Sequence, residues 1–241
     1  KENLAGLKRV SSKLKSWGAS MAGIGAKMAG VGAAIGAPFI STIKAASDME
    51  ETMNKFNVVF GESSSDVKAW SDQFAGSIGR SKKQIADFMA GSQDLFVPLG
   101  FAADAALDMS KQVTNLSVDL ASFNNMNDAD TLRDLHAALT GSGEVMKKYG
   151  VIVSEAAVKQ ELLNQKIDPK TASDQQKVQA RLNIIMRGTT AAQGDAIRSA
   201  GSFANQMKAL KGNLADTAVT IGNALLPVVT PLVTEAANMV T

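Results

Sequence analysis

LKRVSSKLKSWGASMAGIGAKMAGVGAAI, residues 7–35, keeps a heptad of large apolar residues without a miss. Leu7, Val10, Leu14, Trp17, Met21, Ile24, Met28, Val31 and Ile35 alternate spacings of three and four. That spacing is the a/d seam of a helix that meets another helix along its length. At 1.5 Å per residue the stretch makes a rod of roughly 43 Å. Its filler is Ala and Gly, including Gly18, Gly23, Gly25, Gly30 and Gly32. Each glycine costs about 1 kcal/mol against alanine inside a helix, so the stretch demands close company.

Working outward, the same period returns near the other end through Phe203, Met207, Leu210, Leu214, Ile221 and Leu225, with Thr217 at the one polar position. Between the two seams lie shorter helical patterns. Met49, Met53, Phe56 and Phe60 share a face that Gly61 stops, and Val67, Trp70, Phe74 and Ile78 follow. Met109, Val113, Leu116, Leu120 and Phe123 step by four, three, four and three. Capping residues predict helix starts at Ser63, Ser81, Asn127, Ser154 and Ser173, with an acid or glutamine three residues on at Ser63, Ser81 and Ser173. Pro98 and Gly100 break the chain. Tyr149–Val153 is the sole β-flavoured run, too short and solitary for a sheet. Residues 188–201 are weakly patterned and read as loose. The expected class is all-α, with two long heptad-patterned helices flanking a core of shorter packed helices. The expected divisions are an Ala/Gly-rich seam helix over 1–46, a helical core over 47–200, and a long helix over 201–241 that leads into a further continuation.

The chain has 241 residues, a net charge of +2, few aromatics and no cysteine. It therefore offers neither a disulfide framework nor a thiolate metal site, and no overall charge that would draw nucleic acid. Lys1, Lys8, Arg9, Lys13 and Lys15 against Glu2 make only the first 15 residues basic. The uncharged run 28–43 is 16 residues long and holds Pro38, short of a membrane span. Residues 217–234 are uncharged but carry Asn223, Pro227 and Pro231.

Catalytic constellations are weak. His136 is the only histidine, which rules out a two-histidine metal site, and its place between Leu135 and Leu139 reads as structural. Glu144, Glu155 and Glu161 are candidates for a lone general acid, Glu144 best placed after Gly141-Ser142-Gly143, but no aromatic cluster for a sugar accompanies them. Gly141-Ser142-Gly143 lacks the lysine and the strand-to-helix context of a phosphate loop. Solvated helix carboxylates are the better reading. No catalytic, cofactor or metal residue is expected.

Ordered blocks in the middle resemble a known family. Val59-Phe60-Gly61-Glu62-Ser63-Ser64, then Gln93-Asp94-Leu95-Phe96-Val97-Pro98-Leu99-Gly100-Phe101, are similar to the core region of tail tape measure proteins of long-tailed bacteriophages and prophages. Asp119-Leu120-Ala121-Ser122-Phe123-Asn124-Asn125-Met126 matches that family's most recognisable run. Ala137–Gly141, Lys148–Val151, Glu155–Ala157, Ile185-Met186, Gly194-Asp195-Ala196 and Ser202–Gln206 continue the resemblance in order. It covers roughly residues 47–231. Where the family often carries a longer acidic or glycine-bearing loop, this chain has residues 164–173.

The resemblance implies a non-enzymatic virion protein in the lumen of the tail tube, present in the host cytoplasm during assembly. It implies a homo-oligomer of three copies, and partnership with the tail tube protein, assembly chaperones and tail-tip or baseplate proteins. Its helical length sets tail length, and it leaves ahead of the genome at ejection, when it contacts membrane. No sequence-specific nucleic-acid binding and no cofactor are implied. A membrane-active helical pore former is the alternative, motivated by residues 28–43 and the basic flank before them. A cell-wall hydrolase, motivated by Glu144 alone, is the third reading.

Overall fold

The computed structural model describes residues 36–238, and side chains over 41–227 and 229–231. The seam Leu7–Ile35 and the basic start lie outside the described residues, as does the first half of the uncharged run, residues 28–35. What is described is all-α, and no strand occurs among the described residues. Two units divide it: residues 48–217, and a second made, among the described residues, of 36–47 and 218–238.

The chain order is α1 (Gly36–Phe60), a 3-10 turn (Gly61–Ser63), α2 (Ser64–Ile78), α3 (Lys82–Phe96), α4 (Ala103–Phe123) and α5 (Asp128–Leu139). A 3-10 stretch (Gly143–Tyr149) leads to α6 (Glu155–Asn164), α7 (Asp174–Gly188), the short α8 (Asp195–Arg198) and the 36-residue α9 (Phe203–Asn238).

Within the 48–217 unit, α4 is the central helix and packs most extensively on α3 and α5. Its predicted seam explains why: Met109, Val113, Leu116 and Leu120 are all buried. Beside them Thr114 and Val118 are buried too, and small residues, Ala106, Ser110, Ser117 and Ala121, fill the rest of its buried surface, so neighbouring helices approach closely on more than one side. Phe123, the last seam position, is instead exposed at the helix end. Around α4 one apolar core gathers Phe56 and Phe60 of α1, Ile85, Met89 and Phe96 of α3, Leu135 and Leu139 of α5, and Leu182 and Ile185 of α7. Phe56 and Phe60 contact with ring centroids 4.5 Å apart, and Trp70 stacks on Phe74 at 5.2 Å.

The caps show where local sequence reading holds and where it fails. Ser173 and Gln176 form a complete capping box, at 3.2 and 2.9 Å. Asn127 and Ser154 cap α5 and α6 with their side chains. Ser81 accepts from the Gln84 amide, but the Gln84 side chain does not return the bond; it donates to Asp128 instead. Ser63 makes no cap at all, because the 3-10 turn at Gly61 runs straight into α2 with helical backbone. Residues 188–201, expected to be loose, form a turn and the helix α8, tied down by side chains of α4 as described below.

Of the run Tyr149–Val153, Tyr149 closes the 3-10 stretch and Gly150 is left-handed at φ +76°, so only residues 151–153 lie outside helix and turn. Their alternation is that of a strand, with Val151 and Val153 buried and Ile152 exposed. Glycines replace a partner strand. Gly188 of α7 faces the Val151 side chain, and a Cβ on Gly143 would collide with the Val153 carbonyl.

In the second unit the contact is also made by small residues. A Cβ on Gly222 of α9 would collide with the Thr42 carbonyl and stand 2.6 Å from the Ala46 Cβ. Ala46 and Leu225 are buried there. No helix among the described residues is long and apolar enough to cross a membrane.

Candidate functional site: a polar clamp on the last long helix

The most elaborate polar arrangement of the 48–217 unit joins the first half of α9 to the α2–α3 link, the α4–α5 joint and α8. Asp128 is its hub. It is the first residue of α5 and is buried, as is its partner Arg80 in the α2–α3 link. Arg80 Nε donates to Asp128 Oδ2 at 2.5 Å, and Gln84 Nε2 donates to the same oxygen at 3.1 Å. Lys208 Nζ, from α9, donates to Asp128 Oδ1 at 2.8 Å and to the Met126 carbonyl at 2.9 Å. The other Arg80 nitrogens donate to the Ile78 carbonyl and to Asn205 Oδ1 of α9.

Asn205 carries the network onward. Its Nδ2 donates to Ser122 Oγ, to Ser199 Oγ and to the Ser199 carbonyl. Ser122 donates to Asp195 Oδ2 at 2.7 Å. One turn earlier on α4, Asp119 accepts from the Gly194 and Ala196 amides, at 2.6 and 3.1 Å. Burial pushes the Asp119 carboxyl above its usual range, and those two amides with Arg198 pull against it. This is what orders residues 188–201: α4 side chains hold the exposed amides at the start of α8.

The clamp also depends on residues with little side chain. Ala209 lies against Gly79, where a Cβ would stand 2.7 Å from the Ala209 Cβ. Gly79 has φ +63°, a left-handed value that already favours glycine. A Cβ on Gly212 would stand 2.9 Å from the Arg80–Ser81 peptide. One turn further, Asp216 accepts the Lys82 amide at 3.0 Å, supplying the first turn of α3 with a partner from another helix. Beside these contacts lies a cleft of about 420 Å³ lined by Ser81, Asn127, Lys208 and Lys211 among others.

Most of the residues that carry the resemblance fall into two groups. Gln93, Phe96, Pro98, Leu99, Gly100 and Phe101 build the α3–α4 turn. Phe96 and Phe101 are buried edge-to-face at 5.9 Å, Gln93 bonds the Ala103 carbonyl and Ser110, and Gly100 has φ +94°. Asp119, Ser122, Asn124, Asn125 and Met126 build the α4–α5 joint. Asn124 donates back to the Leu120 carbonyl, and Asn125 takes a left-handed φ of +52°. Phe60 is in the core, Gly61 breaks α1 with φ +53°, and Asp94 pairs with Lys55 at 2.8 Å.

Candidate acids stand apart. Glu144 is exposed and paired with Lys147, and Glu155 is exposed near Arg181. Glu161 is buried, where the Arg187 guanidinium at 2.8 Å holds its carboxyl below the usual range. No group of three side chains able to hold a metal gathers among the described residues.

One pairing went unseen in the sequence: His136 Nε2 lies 2.9 Å from Ser92 Oγ, joining α5 to α3. The residues are 44 positions apart, so no local spacing could signal it. Burial lowers the His136 pKa to about 4. Near neutral pH the ring is therefore uncharged. The unfolded chain takes up a proton near pH 6.5 that the folded chain refuses until about pH 4, so stability falls as pH drops through that window. The loss approaches about 3 kcal/mol at its acid end. Urea unfolding at pH 7 and pH 4.5 is expected to show this difference, and His136→Gln to remove most of it. An unchanged pH dependence in the variant would refute the assignment.

No protein-family model matches the chain, and no curated protein or solved structure matches it at a significant level. The chemistry of the clamp is that of holding. Both Asp128 oxygens are engaged by cations, and its hydroxyls and amides bond one another rather than an open space.

Proposed function

We propose that the chain is the core segment of a tail tape measure protein of a long-tailed phage or prophage, a structural protein without enzymatic activity. It occupies the tail lumen in the virion and the host cytoplasm during assembly. Its finer architecture is two long seam helices flanking the helical core. Its partners are the tube protein, the assembly chaperones and the tail-tip proteins. The observation that carries the reading is the ordered run of matching blocks from residue 47 to 231. In support, three of those blocks, far apart in sequence, meet in the clamp: Asp119–Met126, Gly194–Ala196 and Ser202–Gln206. A segment whose task is to set length gains from helical structure, because helix length is fixed per residue.

The test is an in-frame deletion of residues 7–35 from the parent gene, with tail length read by electron microscopy. A helical ruler predicts tails shorter by about 43 Å, and the duplication predicts tails longer by the same amount. Unchanged length in both would end the ruler role. The pore-forming alternative rests on residues 28–43, the first half of which lies outside the described residues, and nothing described favours it.

A further inference from the structure

A second concavity of the 48–217 unit differs in character from the cleft beside the clamp. It holds about 310 Å³ between α2, α4, α7 and α8. Phe74 and Ile78 of α2, Leu116 of α4, Met186 of α7 and Ile197 of α8 give it apolar walls. Ile197 is 60% exposed, so it shapes the rim and adds little to the core. Small-ligand pockets have this make-up, apolar walls with a few convergent polar groups, over about 300–1,000 Å³. Among the described residues of the lining, Asp119 alone is charged. Its bonds from the Gly194 and Ala196 amides come from neutral donors and leave that charge uncompensated. An ionised carboxylate accepts about four hydrogen bonds, so capacity remains. Arg198, whose field reaches Asp119, is committed elsewhere: it pairs with Asp195 at 3.5 Å and donates to the carbonyls of Gln193 and Ala191. No other described cation acts on it, and burial pushes its carboxyl above the usual range, the mark of a carboxylate short of positive charge. Gln112 and Asn115, both exposed, precede it at spacings of three and four, so α4 lines the pocket with a stripe of side-chain oxygens.

We propose that this pocket binds a small organic cation, an ammonium or guanidinium head on an apolar body, with the head on Asp119 and the body against Phe74, Leu116 and Ile197. Charge selects the head. An anion would meet a bare carboxylate with no cation in the lining, and a wholly apolar ligand would take water from that carboxylate and return nothing. The walls select the body. A bare metal ion or a free ammonium ion would exchange its own water for apolar side chains and a single carboxylate. The inference uses the pocket alone and does not depend on the tape measure reading; tail length tests that one, and ligand binding tests this one.

The test uses the full chain, isotope-labelled, with benzylammonium as the probe near neutral pH. Binding is read by magnetic resonance at the Leu116, Gly194 and Ala196 amides, and a dissociation constant on the order of 1 mM is expected, well inside the ceiling for so small a ligand. Benzyl alcohol, the same body without the charge, and methylammonium, the charge without the body, should each bind at least about tenfold more weakly. Asp119→Asn should weaken benzylammonium by about the same factor and leave benzyl alcohol unchanged. Saturating benzylammonium should also lower the Asp119 pKa, because a bound cation favours the charged form; a purely structural carboxylate would not respond. If Asp119→Asn releases α8, Asn115→Lys decides alone. It keeps both amide bonds to Asp119, places a resident ammonium one helical turn away, and should weaken the probe by about tenfold. No binding at these amides overturns the proposal, as does equal affinity for benzyl alcohol, an Asp119 pKa that the probe leaves in place, or full affinity in either variant with α8 held. So does a wild-type Asp119 that already titrates low and takes no probe, the result expected if a lysine of residues 1–35 or of another chain fills the site.

Discussion

Asp128→Ala is expected to cost about 3–5 kcal/mol, the penalty for removing one partner of a buried ion pair. The substitution deletes few contacts of its own. It leaves the buried Arg80 guanidinium without its carboxylate and Lys208 without its charge partner, while Gln84 loses an acceptor. Thermal unfolding should fall by roughly 10 °C for a chain of this size. Salt should change the loss little, because a buried pair is poorly screened. The effect should be local first. Amide exchange over 203–217 is expected to accelerate more than exchange in α4, because Asp128 joins α9 to the unit rather than building the core. Replacing Arg80, Asp128 and Lys208 together with Met, Leu and Met should recover much of the stability, since the cost lies in the orphaned charges. If Asp128→Ala unfolds like wild type, the clamp contributes nothing.

Gly143→Ala is expected to be at least as damaging, by a different route. The new Cβ would collide with the Val153 carbonyl and come within 2.9 Å of the Val153 Cβ. These are backbone and β-branched atoms with no rotamer to yield, so relief requires the extended segment to move. That segment seats Val151 and Val153 in the core. The expected cost is about 3 kcal/mol or more, the upper end for overpacking. Urea unfolding checks it, with Gly150→Ala and Gly91→Ala as comparisons. Nothing stands within 4 Å of a Cβ at either site, so Gly91→Ala should be neutral or mildly stabilising. Gly150→Ala, at φ +76°, should cost about 1–2 kcal/mol of backbone strain alone.

A good part of this fold is legible without coordinates. The seam of α4 announces a buried helix, and Met109, Val113, Leu116 and Leu120 are buried. Ser173 with Gln176 announces a capping box, which forms. Those signals are local: helical periodicity and capping depend on residues three or four apart. Ser63 shows the limit, for the same kind of signal fails when the preceding turn keeps a helical backbone. Residues 188–201 fail in the other direction. They carry only a weak pattern because their order is imposed by Asp119 and Ser122, more than 70 positions upstream.

The clamp was not legible for the same reason. Nothing near Asp128 in the sequence marks it as buried, and an aspartate at the start of a helix is ordinarily a solvated cap. Only the arrival of Arg80 from one side and Lys208 from the other makes its burial tolerable. The two halves of the molecule's story therefore have different origins. By itself the sequence determined that the chain is helical, where most helices begin and end, and that the last long helix has an apolar stripe, because those properties follow from neighbours along the chain. Which way that stripe points was decided by the tertiary structure. Burying the clamp's charges and the bare backbone at Gly212 fixes one face of the helix inward, and rotational geometry leaves Phe203, Met207, Leu210 and Leu214 facing out.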